Sequence, residues 1–353
     1  MANMKTSKVG GPGPVMVDVE GHTLTNEEVQ RIQNPLVGGV ILFARNFASR
    51  QQLTDLCAAI SSVREQPLLI ATDHEGGRVQ RFRTDGFTHM PSMQSLGQIW
   101  DNQPELAMRL ATDTGFIIAS ELRACGVDLS FTPVLDLNYG VSSVIGNRSF
   151  HSSAKAVTQL ARALTHGLAL GGMASCGKHF PGHGAVEADS HLEVPIDNRS
   201  LDEIMQSDAM PYEWLGDLVV SSVMPAHVIY PKVDNQPAGF SKIWIQKILR
   251  ERLNYKGVVF SDDLTMEGAT VAGDIHDRAL AALTAGCDMA LVCNRPDLAD
   301  DLLTRLQWKS SEESSKRINS LKPKSTGLCW HDMQNSINYQ NAKQRLQSEK
   351  LLG

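Results

Sequence analysis

At 353 residues, with a formal net charge of −6 and a pI near 6.0, the chain lacks the basic excess that nucleic acid or an anionic membrane surface selects. Apolar residues at 42% and charged residues at 20% exclude disorder over most of its length, and 28 glycines without period exclude a collagen-like chain. The length allows one α/β barrel of about 250 residues or more, or two domains of ~100–200 residues each.

The first twenty residues, MANMKTSKVGGPGPVMVDVE, hold no apolar segment of the secretory type. No run approaches the ~18 apolar residues of a spanning helix, so a cytoplasmic protein is expected. Six scattered cysteines (57, 125, 176, 287, 293 and 329) form no CxxC pair and read as reduced thiols.

Short apolar runs recur along the chain: PVMVDV (14–19), GGVILF (38–43), PLLIATD (67–73), VDLSFTPVLD (127–136), MASCGKH (173–179), LVVSSVMPAH (218–227), GVVFSDD (257–263) and CDMALV (287–292). Segments of helical spacing lie between them. Over 50–65, Leu53, Leu56, Cys57 and Ile60 line one stripe, with Ser49 placed to cap it. Near-continuous apolar strands alternating with amphipathic helices predict an α/β fold with a parallel sheet. Eight of them predict a single (β/α)8 TIM-type barrel over 1–308, with an open doubly wound sheet as the alternative. Residues 309–353 differ, with 8 Lys and Arg against 4 Asp and Glu. They are expected to form a polar basic tail, peripheral to the chemistry: a linker over 309–325, then one terminal helix over 336–352.

A barrel gathers functional side chains where its strands end. Asp73, Lys178, His179, His227 and Asp262 all close apolar runs. The richest segment is CGKHFPGHGAVEADSHLEVP (176–195), with three histidines, a lysine and three acidic residues. Three readings compete there: a surface loop with solvated histidines, a metal site from His179, His183, His191 and Asp189, or an acid/base pair of Asp189 with His191. The glycines and proline between the histidines prevent one helix face from presenting them as metal ligands. In an extended segment, residues two apart face one side, so Asp189 can orient the His191 imidazole for proton donation.

The segment YKGVVFSDDLTMEGAT (255–270) ends a strand at Asp262 and Asp263, of which at most one faces a barrel mouth. A carboxylate fixed there can attack a sugar's anomeric carbon, or can cap the next helix. The segment IATDHEGGRVQRF (70–82) groups Asp73, Glu75, Arg78 and Arg81 around Gly76–Gly77. Its carboxylates suit vicinal hydroxyls and its arginines suit polar substituents, but neither it nor GGPGP (10–14) has the spacing of a phosphate cradle. IGNRSFHSS (145–153) adds Arg148.

Taken together, DHEGGRVQRF, IGNRSF, KHFPGHG followed by DSH, and FSDDLTMEGA, in that order, resemble the bacterial β-N-acetylglucosaminidases of glycoside hydrolase family 3 that act in peptidoglycan recycling and so in cell-wall biogenesis. The resemblance covers residues 14 to 308. It implies a retaining exo-enzyme without metal or organic cofactor, in which Asp262 is the nucleophile and His191 the acid/base catalyst oriented by Asp189. It further implies that Asp73, Arg81, Arg148, Lys178 and His179 bind the terminal N-acetylglucosamine. The implied substrates are muropeptides bearing that sugar on 1,6-anhydro-N-acetylmuramic acid, and the expected partner is this small molecule alone, bound by a monomer. His74 stands where many relatives carry Gln, and the tail has no assigned counterpart. A metal-dependent barrel hydrolase, a non-catalytic amino-sugar-binding barrel and a phosphorolytic variant of the same chemistry are the rival readings.

Overall fold

The computed structural model describes residues 11–66, 68–187, 190 and 194–352. Among them, the apolar runs form eight parallel strands: β1 (Val15–Asp18), β2 (Val37–Leu42), β3 (Leu69–Thr72), β4 (Leu129–Ser130), β5 (Cys176–Phe180), β6 (Ser222–Pro225), β7 (Val258–Asp263) and β8 (Met289–Val292). Each strand leads to a helix. These are α1 (Asn26–Gln33), α2 (Arg50–Ser62), α3 (Pro104–Ala124), α4 (Ala154–Leu170), α5 (Met210–Val219), α6 (Ile243–Arg252, wound as a π-helix), α7 (Ile275–Ala285) and α8 (Pro296–Arg305). The stripe predicted on α2 is buried at Leu53, Leu56, Cys57 and Ile60, and the Ser49 hydroxyl accepts the Gln52 N–H at 3.2 Å, capping the helix.

The strands pair in the order β4-β3-β2-β1-β8-β7-β6-β5, and the ends of this order meet. Leu129 bridges Ala174, Val134 bridges Lys178, and the Cys176 N–H donates to the Thr132 carbonyl at 2.8 Å. The expected TIM-type barrel is therefore present and the open sheet is not.

Strand alternation divides the core in two. Met16, Ile41, Leu69, Ala71, Leu129, Phe131, Cys176, Val258, Phe260, Met289 and Leu291 fill the barrel interior. Their neighbours Val15, Val17, Val40, Leu42, Ile70, Val223, Val259, Ala290 and Val292 pack outward under the helices. The same parity, continued beyond the apolar part of each strand, delivers Asp73 after Leu69 and Ala71, Lys178 after Cys176, and Asp262 after Val258 and Phe260.

The segment after 308 holds the terminal helix expected over 336–352, but the expected linker is replaced by further helices. It carries three helices, α9 (Glu312–Ser320), α10 (Trp330–Asn335) and α11 (Ile337–Ser348). Ile318 and Leu321 are buried in the same cluster as the barrel interior. Around them Arg317 pairs with Asp288 at 2.7 Å and Lys322 with Asp128 at 2.9 Å, two carboxylates that also accept the N–H groups of Val259 and Ile70. The tail thus plugs the barrel at the end where its strands begin. Its last helix docks on α3 through Tyr339, whose hydroxyl donates to Glu121 at 2.6 Å, and through Arg345 paired with Asp113 at 2.5 Å.

No helix among the described residues is long and apolar enough to cross a membrane. All six cysteines are free, and five of them are buried.

Because Leu321 closes a packed interior, Leu321→Ala is expected to cost about 2–5 kcal/mol of stability, read from urea unfolding. The same truncation at the exposed Leu328 is expected to stay within about 0.5 kcal/mol. Equal effects at the two positions would contradict the plug.

Candidate active site

At the end of β3, the chain beyond Asp73 folds back as a hairpin of His74–Gly76 with Val79–Gln80. Gly76 (φ +106°) and Gly77 (φ +55°) make its turn in the left-handed region, and a Cβ on Gly76 would stand 2.5 Å from the Pro91 carbonyl oxygen. The glycine pair therefore serves a turn. The hairpin returns Arg81 to Asp73, where Nη2 donates to Oδ2 at 3.0 Å. Alternation keeps Glu75 on the side of Asp73 and sends His74 the other way, against Phe82 and Phe87 at ring distances of 5.8 and 6.0 Å. Burial lowers His74 to about 3, so its imidazole is neutral at physiological pH.

Lys178 reaches across the mouth from β5. Its Nζ donates to Asp73 Oδ1 at 2.8 Å and pairs with Glu75 Oε1 at 2.7 Å. Arg148, on a single turn after β4, grips Glu75 with two bonds, Nε to Oε2 at 2.9 Å and Nη2 to Oε1 at 2.8 Å. Arg81, Asp73, Lys178, Glu75 and Arg148 thus form a chain of alternating charge. Burial alone would raise Asp73 and Glu75; Lys178 with Arg81, and Arg148 with Lys178, outweigh it, holding Asp73 well below the usual carboxylate range and Glu75 at about 2. The same pairs outweigh burial at Lys178 and hold it above the ordinary lysine value.

His179 is fixed by Asp136, a fully buried carboxylate closing the fourth apolar run. Asp136 accepts the His179 backbone N–H at 3.1 Å, its Nδ1 at 2.8 Å and the His183 N–H at 2.7 Å. The β5–β6 register shifts between Lys178 and Phe180, and here consecutive side chains, Lys178 and His179, both line the mouth. The loop that follows is held by the Tyr230 hydroxyl, which donates to the Gly182 carbonyl at 2.7 Å, and at Ser190, whose carbonyl accepts the Gly268 N–H at 2.9 Å.

On the opposite side, Asp262 Oδ1 accepts the Asp263 N–H at 2.8 Å. Asp263 itself turns to Thr265 and to the Cys293 N–H, and burial pushes its carboxyl up to about 7. His227 is used behind it: Nε2 donates to the Asp263 carbonyl at 3.0 Å. Asp73, Glu75, Arg78, Arg81, Arg148, Lys178, His179, His183, Ser190 and Asp262 all face one cavity of about 430 Å³, a volume suited to a small polar ligand.

Residues 8–321 match the glycosyl hydrolase family 3 N terminal domain. The chain belongs to this family. It is accordingly a glycoside hydrolase, as the four motifs led us to expect. It is 66% identical over 349 residues to a Bordetella parapertussis protein named Beta-hexosaminidase, covering 99% of each chain. It is likewise similar to NagZ from Neisseria gonorrhoeae, solved in complex with zinc ion, at 48% identity and a TM-score of 0.90, covering 98% of this chain and 99% of the other. The same Neisseria protein in complex with N-trifluoroacetyl-D-glucosamine gives 49% identity and a TM-score of 0.90 over 97% and 98% of the two chains.

Six of the singled-out residues, Asp73, Arg81, Arg148, Lys178, His179 and Asp262, therefore stand around one family 3 cavity. Asp189 and His191 lie outside the described residues, although Ser190 between them in sequence lines the cavity. His179 and His183 come within 6.1 Å of each other, yet Asp136 engages Nδ1 of the first and the Ser190 hydroxyl faces Nε2 of the second at 3.2 Å. Among the described residues, the one group with metal-ligand spacing is Asp274, His276 and Asp277, near the start of α7 and outside the cavity lining. The roles of Glu75 and Asp136 were missed. Asp136 had a signal, since it ends an apolar run as Asp73 does; the partners of Glu75 are 73 and 103 residues away in sequence and left none.

Asp136 is held below the ordinary carboxyl value of 3.8, because His179 and His183 outweigh its burial. Its contribution to stability is complete above that value and is lost as the pH falls below it. Asp136→Asn is therefore expected to cost about 1–3 kcal/mol at pH 7, measured by urea unfolding, with the gap from the parent protein closing below pH 4.

Proposed function

We propose that this family 3 enzyme removes non-reducing terminal β-linked N-acetylglucosamine with retention of configuration, through a covalent glycosyl-Asp262 intermediate. In the first step an Asp262 carboxylate oxygen bonds to C1 of the sugar as the C1–O bond to the leaving group breaks, and His191 gives its proton to the departing oxygen. In the second step His191 takes a proton from water, whose oxygen bonds to C1 and releases Asp262. Retaining glycosidases ordinarily place a carboxylic acid in the proton-donor role, and here an imidazole oriented by Asp189 replaces it. Asp73, Arg81, Arg148, Lys178 and His179 hold the sugar, with the Asp73 carboxylate accepting from its hydroxyls and the cations donating to them.

The observation that carries this reading is the position of Asp262. It continues the inward parity of Val258 and Phe260 and faces the one cavity in which five polar groups from β3, β4 and β5 converge. Ser190, the chain neighbour of both Asp189 and His191, faces that cavity too, which supports their assignment to the departing side. A cavity of about 430 Å³ suits one terminal sugar and so supports exo-cleavage. The name of the Bordetella relatives and the amino-sugar complex of the Neisseria protein support the 2-acetamido sugar. The natural substrates in this reading are cytoplasmic muropeptides bearing N-acetylglucosamine on 1,6-anhydro-N-acetylmuramic acid, released during peptidoglycan recycling. Residues 1–308 supply the chemistry, and 309–353 complete the scaffold.

Incubation with a slow 2-deoxy-2-fluoro glycoside, followed by peptide mass mapping, is expected to label the peptide that contains Asp262. A label on another peptide of the active enzyme would overturn the assignment. His191→Ala is expected to lower kcat/KM by about 10²–10⁴-fold on substrates whose leaving group needs a proton, and far less on a dinitrophenyl glycoside. Equal losses on both substrates would remove His191 from the proton-donor role.

A further inference from the structure

The Glu75 carboxylate is only 1% exposed and already accepts three contacts, two from Arg148 and one from Lys178. Asp73 also meets two cations but stays 19% exposed to the cavity, so Glu75, with three such contacts and almost no exposure, is the carboxylate poorly placed to receive a ligand hydroxyl although it borders the cavity. Its two partners are different: each keeps donors to spare. Lys178 uses two of its three N–H groups, on Asp73 and Glu75. Arg148 is held in plane by Glu75 and, among the described residues, otherwise donates only to the Val144 carbonyl, at 3.2 Å from Nη1.

We propose that Glu75 is a positioning residue for the sugar site, fixing the Arg148 plane and the Lys178 ammonium so that their remaining N–H groups face the ligand. The inference rests on the sugar-binding reading given above. Two buried cations converge from β5 and from the turn after β4, and without an anion between them they would repel and separate. Asp73 alone does not suffice, because Arg81 already takes one of its oxygens. The backbone supports this role. The His74 N–H donates to the Ser130 hydroxyl and that hydroxyl donates back to the His74 carbonyl, each at 3.0 Å, locking the residue before Glu75 to β4. The charged groups facing Lys178 are then Asp73 at the end of β3, Glu75 from the hairpin and Arg148 from the turn after β4, with Arg78, Arg81, His179, His183 and Asp262 further along the cavity wall.

The test compares the parent enzyme with Glu75→Gln and Glu75→Asp. On an aryl β-N-acetylglucosaminide, Glu75→Gln is expected to lose on the order of 10²–10³-fold in kcat/KM and to gain an alkaline limb absent from the parent, because Lys178 keeps one carboxylate of two and gives up its proton at lower pH. Glu75→Asp retains the charge and is expected to recover part of the loss and to remove the new limb. Independently of turnover, reductive methylation of Lys178 across a pH series, quantified by peptide mass spectrometry, is expected to begin at least about one pH unit lower in Glu75→Gln. Unchanged onset of Lys178 labelling, or a kcat/KM within about threefold of the parent, overturns the proposal. Should Glu75→Gln fail to fold, Glu75→Asp decides by rate alone: its shorter side chain cannot hold both cations, a loss of more than about threefold in kcat/KM is expected, and a value within about threefold of the parent overturns the proposal. A parent enzyme that does not cleave the aryl substrate refutes the N-acetylglucosaminidase reading instead, and the Lys178 labelling then decides the role of Glu75 alone.

Discussion

Side-chain alternation on a closed parallel barrel is the constraint from which the rest of this molecule follows. With no free edge and no room at the axis, each strand must send every second residue into a shared interior. In the lower layers those residues are Leu, Ile, Phe, Met, Val, Ala and Cys. One step further along, the same rule obliges whatever residue comes next to look into the mouth, and there the chain has placed Asp73, Lys178 and Asp262. The apolar layers and the polar site are thus one pattern with a change of chemistry near the strand ends. A one-residue slip in β3, β5 or β7 would turn the site outward along with the core.

Charges brought together by that geometry need each other. Asp73, Glu75, Lys178 and Arg148 are all wholly or mostly removed from water, and none would be tolerable alone at such burial. Arranged with alternating sign they hold one another ionised, so the site is set rigidly before a ligand arrives, which is the condition for binding energy to be used on orientation. His179 is fixed in orientation by Asp136, through backbone and ring together.

The strands were legible because each is a dense apolar run, and the helix α2 because its stripe and its serine cap are local signals. The residues lining the cavity were legible because they close those runs and because four motifs resemble a known family. What escaped is non-local. The links of Glu75 to Arg148 and Lys178 depend on how β3, β4 and β5 meet in space, and composition offers no hint of them. The tail misled for a related reason. Its helices are polar, and only a few residues such as Ile318, Leu321, Tyr339 and Leu346 are buried, so their stability comes from the barrel they cover rather than from their own pattern.

The plug formed by Ile318 and Leu321 also orders events in time. These residues leave the ribosome after every strand has been synthesised, so a nascent chain has all eight staves of the barrel before it has the stopper for their lower end. Until residues 318–321 emerge, Val258, Met289 and their neighbours at the strand starts lack that cover, so the barrel interior is sealed only once this later segment has docked.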